Sequence, residues 1–359
     1  MKAAVCREFG RPLVIEQVDL AEPSDGELVV ELRACAICHS DISFATGAWG
    51  GELPAVYGHE ASGVVSAVGP GVAGVAVGDR VVVTLIRSCG GCYFCSRGQQ
   101  VLCDAEFRLD REPALRDAGG APIAQGMRTA AFAERVLVHA SQVAVVGDEI
   151  AFDVAATLGC GVLTGVGAAV NTARLRPGES AVVVGAGGVG LNAIQGASLC
   201  GAHPVIAVDV SDAKLAAARE FGATHTVNPA AADPAAIVAG LTGGRMADCV
   251  LVAVGSAGAI QRAAGLMRRG GTTVVVGMPP SGETVSFDPG ALAGDGQTVV
   301  GSKMGSSRVA VDIPALVAQY RAGRLSLERL VSERRPLEQV NEAIAGVLAG
   351  EVLRSVIVF

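Results

Sequence analysis

One six-residue stretch, Gly185-Ala186-Gly187-Gly188-Val189-Gly190, constrains this chain more than any other. It follows an apolar run, Ala181 to Val184, that reads as a short buried strand. It opens a segment, Val189 to Cys200, that reads as a helix, and a second apolar run, Val205 to Val208, ends on Asp209. Strand, turn, helix and strand in that order form the context in which a glycine-rich turn binds a dinucleotide. Gly185 permits the tight turn, Gly187 lets the backbone approach a pyrophosphate, and Gly190 lets the helix pack on the strand. Gly188 completes the turn, and the helix N-terminus offers free N–H groups to phosphates. Asp209 lies 19 residues past Gly190, where an acidic side chain takes ribose hydroxyls. The glycines alone, in a chain with 48 of them, could mark a plain tight turn; the flanking strands and Asp209 favour a nucleotide site.

From Glu179 onward strands and helices alternate. Strands are expected at 181–184, 205–208, 225–227, 248–252 and 273–276, with a sixth at Val299-Val300-Gly301; helices are expected at 189–201, 212–221, 234–240 and 257–268. That alternation predicts an α/β, doubly wound parallel sheet. Residues 1–34 and 64–83 instead carry short apolar runs punctuated by Gly and Pro, the mark of a compact β-rich domain. Residues 104–126 read as a polar loop. A helix is expected after Asp153, two more at Ile313 to Ala322 and Glu338 to Ala349, and a last strand at Ser355 to Phe359.

The formal charge is −7, and no basic patch or polybasic run points to nucleic acid or anionic lipid. No uninterrupted apolar run reaches membrane-spanning length, and the first ten residues hold no apolar signal core. These features predict a soluble, cytoplasmic protein, in which ten cysteines serve as metal ligands or buried thiols rather than disulfides.

Cys89, Cys92, Cys95 and Cys103 fall within fifteen residues. Four thiolates at that spacing suit a closed tetrahedral zinc. Two disulfides, inert thiols or an iron–sulfur cluster are the alternatives. A closed four-sulfur site leaves no position for substrate, so its expected role is structural.

Three further motifs are dispersed: Cys38-His39-Ser40-Asp41, Gly58-His59-Glu60 and Gly159-Cys160-Gly161. Together with the four-cysteine lobe, the glycine turn and the terminal Leu353-Arg354-Ser355, in this chain order, they resemble the zinc-dependent medium-chain alcohol dehydrogenases over essentially the whole chain. The resemblance implies a GroES-like catalytic domain from residues 1–161 and 305–359, with the four-cysteine lobe at 87–105, and a Rossmann domain at 162–304. It implies that Cys38, His59 and Cys160 hold a catalytic zinc with an open fourth position, giving two zinc ions per chain. Glu60 matches the family's carboxylate near the metal, and Asp41 would orient His59 through its other ring nitrogen. Ser40 matches the hydroxyl that accepts the alcohol proton. Thr164 and Val189 match positions that press on the nicotinamide, while His39 and Arg354 match residues near the pyrophosphate.

Asp209 is acidic where a 2′-phosphate would sit, so NAD is the expected cofactor rather than NADP, and Lys214 matches a lysine near the adenosine ribose. One position departs from the pattern: many relatives carry a relay histidine where this chain has Ser43. Trp49 and Leu85 align with pocket positions and suggest medium-length or aromatic primary alcohols and their aldehydes. A thiol-adduct formaldehyde dehydrogenase would need an anion-binding patch, for which Arg87, Arg108 and Arg308 are candidates. Other rivals are a zinc-free reductase and a non-catalytic NAD-binding redox sensor. Pairing of Val299-Val300 edges predicts a homodimer or homotetramer.

Overall fold

The computed structural model describes every residue, Met1–Phe359. The chain divides into two compact units, Met1–Cys160 with Arg308–Phe359, and Gly161–Ser307.

The first unit is β-rich. Five short strands, Lys2–Cys6, Val14–Leu20, Leu115–Asp117, Pro122–Gln125 and Ala55–Val56, close a barrel. A seven-stranded sheet is built around the longest strand of the unit, Glu27–Ala36. Antiparallel partners of that strand are Glu60–Val68, Arg135–His139 and the C-terminal Ser355–Val358. Ala36 pairs with Glu60 in one ladder and Val356 in the other. Sheet register thus brings Cys38, Glu60 and Arg354, from three distant parts of the chain, to one end of the sheet. Leu28, Val30, Leu32, Leu115, Ile123 and Leu137 are among the buried side chains of the core beneath.

The second unit holds a six-stranded, wholly parallel sheet in the order His225–Val227, Val205–Val208, Ala181–Val184, Ala247–Val252, Met267–Val275 and Thr298–Gly301. All four residues of Val205–Val208 are buried, as expected of a strand covered on both faces. Strand order reverses between Ala181–Val184 and Ala247–Val252, and ligands of such sheets bind beyond the carboxyl ends of strands at that point. The glycine-rich turn comes directly after Val184 there.

Two sequence expectations change. Residues 104–126 are not all loop: Leu115–Asp117 and Pro122–Gln125 form an antiparallel pair within the barrel. Asp117 Oδ1 accepts the N–H groups of Gly119 and Ala121, each at 3.0 Å, and Gly120 takes φ +83°, so the glycine pair makes a tight turn. The helix expected at 257–268 ends early, as Ala257–Ala263 with one 3₁₀ turn, Ala264–Leu266, and Met267 already begins the next strand.

No single helix is long and apolar enough to cross a membrane.

Candidate metal centre and nucleotide loop

The helix His39–Ala45 starts at Cys38, whose backbone N–H donates to Asp41 Oδ2 at 2.9 Å. The other oxygen, Asp41 Oδ1, lies 2.9 Å from both Gly58 N and His59 Nδ1. One buried carboxylate therefore fixes Cys38 and His59 relative to each other. Gly58 takes φ +91°, and a Cβ there would stand 2.6 Å from Phe132 N, so only glycine fits. At Gly159 a Cβ would stand 2.5 Å from Val83 O and 2.9 Å from Glu60 Cα; its absence lets the Cys160 backbone come in beside Glu60.

The two sulfurs and one ring nitrogen of Cys38, His59 and Cys160 all lie within 4.8 Å of one another, and all three residues are buried. His59 Nε2 is buried with no hydrogen-bond partner, a costly state for a ring nitrogen unless a ligand fills it. Nδ1 is committed to Asp41, which directs Nε2 to the metal side. A hydrogen bond from the Cys160 thiol holds the Cys38 thiol well below its ordinary value, and the same bond, with burial, pushes Cys160 up. Burial opposes charge on His59, but Asp41 and Cys38 outweigh it and raise its pKa well above the ordinary value. Two sulfurs and one imidazole nitrogen placed this way fit zinc with an open position.

Beside this trio, Arg354 Nη2 lies 2.7 Å from Glu60 Oε1 and 2.9 Å from Oε2, and its Nη1 donates to Ile37 O at 3.2 Å. The sequence does not disclose this pairing: the resemblance places Arg354 near a pyrophosphate, whereas its guanidinium is buried against Glu60. Ser40, half-buried, takes a long contact from Cys38 Sγ at 3.7 Å, while His39 is exposed at the start of the same helix.

Cys89, Cys92, Cys95 and Cys103 place their four sulfurs within 4.8 Å of one another. Backbone N–H groups of Cys89 and Cys92 point at Cys103 Sγ and Cys89 Sγ, each at 3.3 Å. The N–H groups of Gly91 and Cys92 bring the Cys89 thiol down to about 7, and burial pushes Cys95 up to about 12. Four convergent sulfurs with no other donor suit a closed metal site.

In the second unit Gly185 takes φ +94°, and a Cβ on Gly190 would stand 1.7 Å from Gly185 O. Both glycines are therefore obligatory for the turn and for seating the helix Gly188–Leu199. A Cβ on Gly187 would meet nothing within 4 Å, the open space that an approaching phosphate requires. Asp209 is half-buried; its Oδ2 accepts Ala186 N–H at 2.7 Å and its Oδ1 accepts Ser211 N–H at 2.9 Å. The acid is thereby tied to the glycine turn, and the cradle fits a dinucleotide. Lys214 lies in the first turn of the helix Asp212–Glu220, capped by Ser211. Thr164, on the helix Gly161–Gly167, is buried with its hydroxyl 3.7 Å from Met304 Sδ. Val189 sits in the first turn of the Gly188–Leu199 helix.

The three arginines considered for an anion patch are already engaged. Arg87 is buried and paired with Asp110, Arg108 with Glu27 and Glu112, and Arg308 with Asp312.

Comparison with known proteins agrees with this geometry. Residues 24–148 match the alcohol dehydrogenase GroES-like domain, and residues 188–319 match the zinc-binding dehydrogenase family. The putative alcohol dehydrogenase D of Mycobacterium tuberculosis is 39% identical, with 99% of each chain covered. The NDMA-dependent alcohol dehydrogenase of Amycolatopsis methanolica is 37% identical over 99% of this chain and 98% of its own. The crystal structure of benzyl alcohol dehydrogenase from Acinetobacter calcoaceticus superposes with a TM-score of 0.93 at 31% identity, covering 100% of this chain and 99% of that one. The glycine turn, the paired cysteine sites and these likenesses agree, and the chain belongs to the zinc-dependent medium-chain alcohol dehydrogenase family.

Proposed function

We propose that this alcohol dehydrogenase oxidises medium-length or aromatic primary alcohols to aldehydes, and reduces the aldehydes in reverse, with NAD as hydride carrier. The observation that carries the reading is the meeting of Cys38, His59 and Cys160 within 4.8 Å, with His59 Nε2 left unpartnered in the interior. Zinc held there supplies Lewis acidity to a hydroxyl or carbonyl oxygen, and NAD supplies the hydride acceptor.

The chain's own residues do the rest. Asp41 keeps His59 in the tautomer that presents Nε2. Glu60, neutralised by Arg354, tunes the charge beside the two thiolates without adding a third full negative charge. Ser40 takes the alcohol proton and passes it to water. Ser43, one helical turn on, has no basic group near neutral pH. Gly185, Gly187, Gly188 and Gly190 cradle the pyrophosphate, His39 adds positive charge near it, and Thr164 and Val189 press on the nicotinamide. Asp209 binds the adenosine ribose hydroxyls with Lys214 beside it, and its charge repels a 2′-phosphate. The four-cysteine lobe holds a second, structural zinc. Trp49 and Leu85 wall the substrate pocket. The exposed edge strand Thr298–Gly301 pairs between copies, giving a homodimer or homotetramer. A thiol-adduct formaldehyde dehydrogenase activity is the alternative reading; Arg87, Arg108 and Arg308, its candidate anion-binding residues, each pair with a carboxylate of this chain.

Metal analysis and an NADH absorbance assay over a panel including hexanol and benzyl alcohol test the reading. About two zinc per chain and NADH formation are expected. An artificial electron acceptor is added in a parallel assay, to detect turnover on a cofactor that does not exchange. Absence of zinc, or no turnover in either assay, defeats the proposal.

A further inference from the structure

Arg87 heads the largest side chains that the fold hides completely, at 2% exposure, and no step of the proposed chemistry uses it. Its Nε donates to Gln142 Oε1 at 2.8 Å, Nη1 to Asp110 Oδ1 at 3.0 Å and Nη2 to the carbonyl of Arg128 at 3.3 Å. A hydrocarbon side chain of similar volume would fill the space without desolvating a cation, so the fork geometry is what the site demands.

The demand comes from the turn it holds. Met127, Arg128 and Ala130 have φ of +49°, +61° and +59°, three left-handed residues that carry a Cβ, with Thr129 between them at φ −134°. Such backbone is costly for residues with a Cβ and persists only where neighbours over-determine it. Here the Arg128 carbonyl takes a second bond, from Gln142 Nε2 at 3.0 Å, and Gln142 is anchored on Thr84 O by the same amide group.

The residues just past this turn dock directly beside His59. Ala131 N–H donates to Gly58 O at 2.9 Å and Phe132 N–H to Tyr57 O at 2.8 Å. Gly58 N–H is held from the other side by Asp41, and its missing Cβ is what lets Phe132 N come this close. Both backbone polar groups of Gly58 are thus fixed, and His59 is the next residue. We propose that Arg87 is a positioning residue for His59, locking the 127–130 turn whose continuation fixes the backbone at Tyr57-Gly58 and so the imidazole's approach to a metal shared with Cys38 and Cys160. The proposal rests on the reading of those three residues as a zinc site.

The test is zinc release from the purified holoenzyme into a chelator, with Arg87→Met and Arg87→Lys. Cobalt exchange assigns each site, because a four-sulfur and a two-sulfur, one-nitrogen centre absorb differently. Arg87→Met is expected to release the His59-site metal about fivefold faster while the four-cysteine lobe keeps its own, the size of effect seen along coupled networks. Arg87→Lys keeps the charge but cannot reach Gln142, Asp110 and Arg128 together. It is expected to show the same selective release, and it decides the matter alone if Arg87→Met does not fold. Release of both metals at wild-type rates, or earlier loss from the four-cysteine lobe, overturns the proposal. Wild-type protein with no metal at the His59 site defeats the zinc reading as well, whereas wild-type protein with two metals and unchanged variants defeats this inference alone.

Discussion

Arg354 and Glu60, 294 positions apart, form an ion pair in which the Arg354 side chain is 7% and the Glu60 side chain 0% exposed. Burial opposes charge on the guanidinium, yet Glu60 and the neighbouring Cys38 raise its pKa further above an already high value. Removing one partner of a buried pair strands the other: Arg354→Leu should cost about 3–5 kcal/mol. Glu60→Gln with Arg354→Met removes both charges and should recover much of that loss. Denaturant unfolding of the single and double variants measures it. A double variant no more stable than Arg354→Leu would show that the pair does not compensate as described.

Asp41 binds three partners with two oxygens, and two of those partners flank the metal site. Asp41→Asn keeps the shape but loses the charge that favours an Nδ1–H tautomer of His59. Zinc affinity at that site should fall by about 10–100-fold, as for other carboxylate–histidine supports. Competition with a chromophoric chelator reads the change, and the four-cysteine site serves as the internal control. Equal weakening of both sites would mean that Asp41 acts on the fold rather than on His59.

Local patterns were legible because their physics is local. Gly185, Gly187 and Gly190 are spaced by the turn they make, and Cys89, Cys92 and Cys95 by the loop that converges their sulfurs, so adjacency in sequence carried the geometry. Cys38, His59 and Cys160 became readable only through family resemblance, since sheet register, not spacing, joins them. The Arg354–Glu60 pair was not legible, because it depends on the C-terminal strand docking beside Ala36. Arg87 reads in the sequence only as a candidate for an anion-binding patch for the same reason: its acceptors, Asp110, Arg128 and Gln142, come from three later segments. Gly119-Gly120 reads as loop, although Asp117 turns it into the corner of two barrel strands.

In the proposed function cofactor choice turns on Asp209, and its contact with the glycine turn adds a consequence. NAD should be preferred over NADP by at least about tenfold in kcat/KM. Because Asp209 Oδ2 also accepts Ala186 N–H in the glycine turn, Asp209→Gly should weaken NAD as well as relax discrimination. Asp209→Asn, which retains an acceptor, should narrow the preference with a smaller loss of NAD. Steady-state kinetics with both cofactors checks this. Equal use of NAD and NADP by the wild-type protein would contradict it.

Acid stability offers a prediction away from the metal sites. Asp248 Oδ2 accepts Ser180 N–H at 2.8 Å and Ser180 O–H at 2.6 Å, and its Oδ1 lies 2.5 Å from Arg268 Nε. Burial works against the carboxylate's charge, but the Ser180 and Arg268 bonds prevail and lower its pKa. A lowered folded-state value means that the unfolded chain takes up the proton first as pH falls. The stabilisation is therefore fully present above the ordinary aspartate value of about 3.9 and is lost as pH drops through the lower folded value. Asp248→Asn should cost about 1 kcal/mol near neutral pH. That difference from wild type should stay level from about pH 8 to 5 and shrink as pH falls below the ordinary aspartate value of about 3.9. Urea midpoints of the two proteins across that range measure it. A gap that widens on acidification would reverse the sign assigned to Asp248.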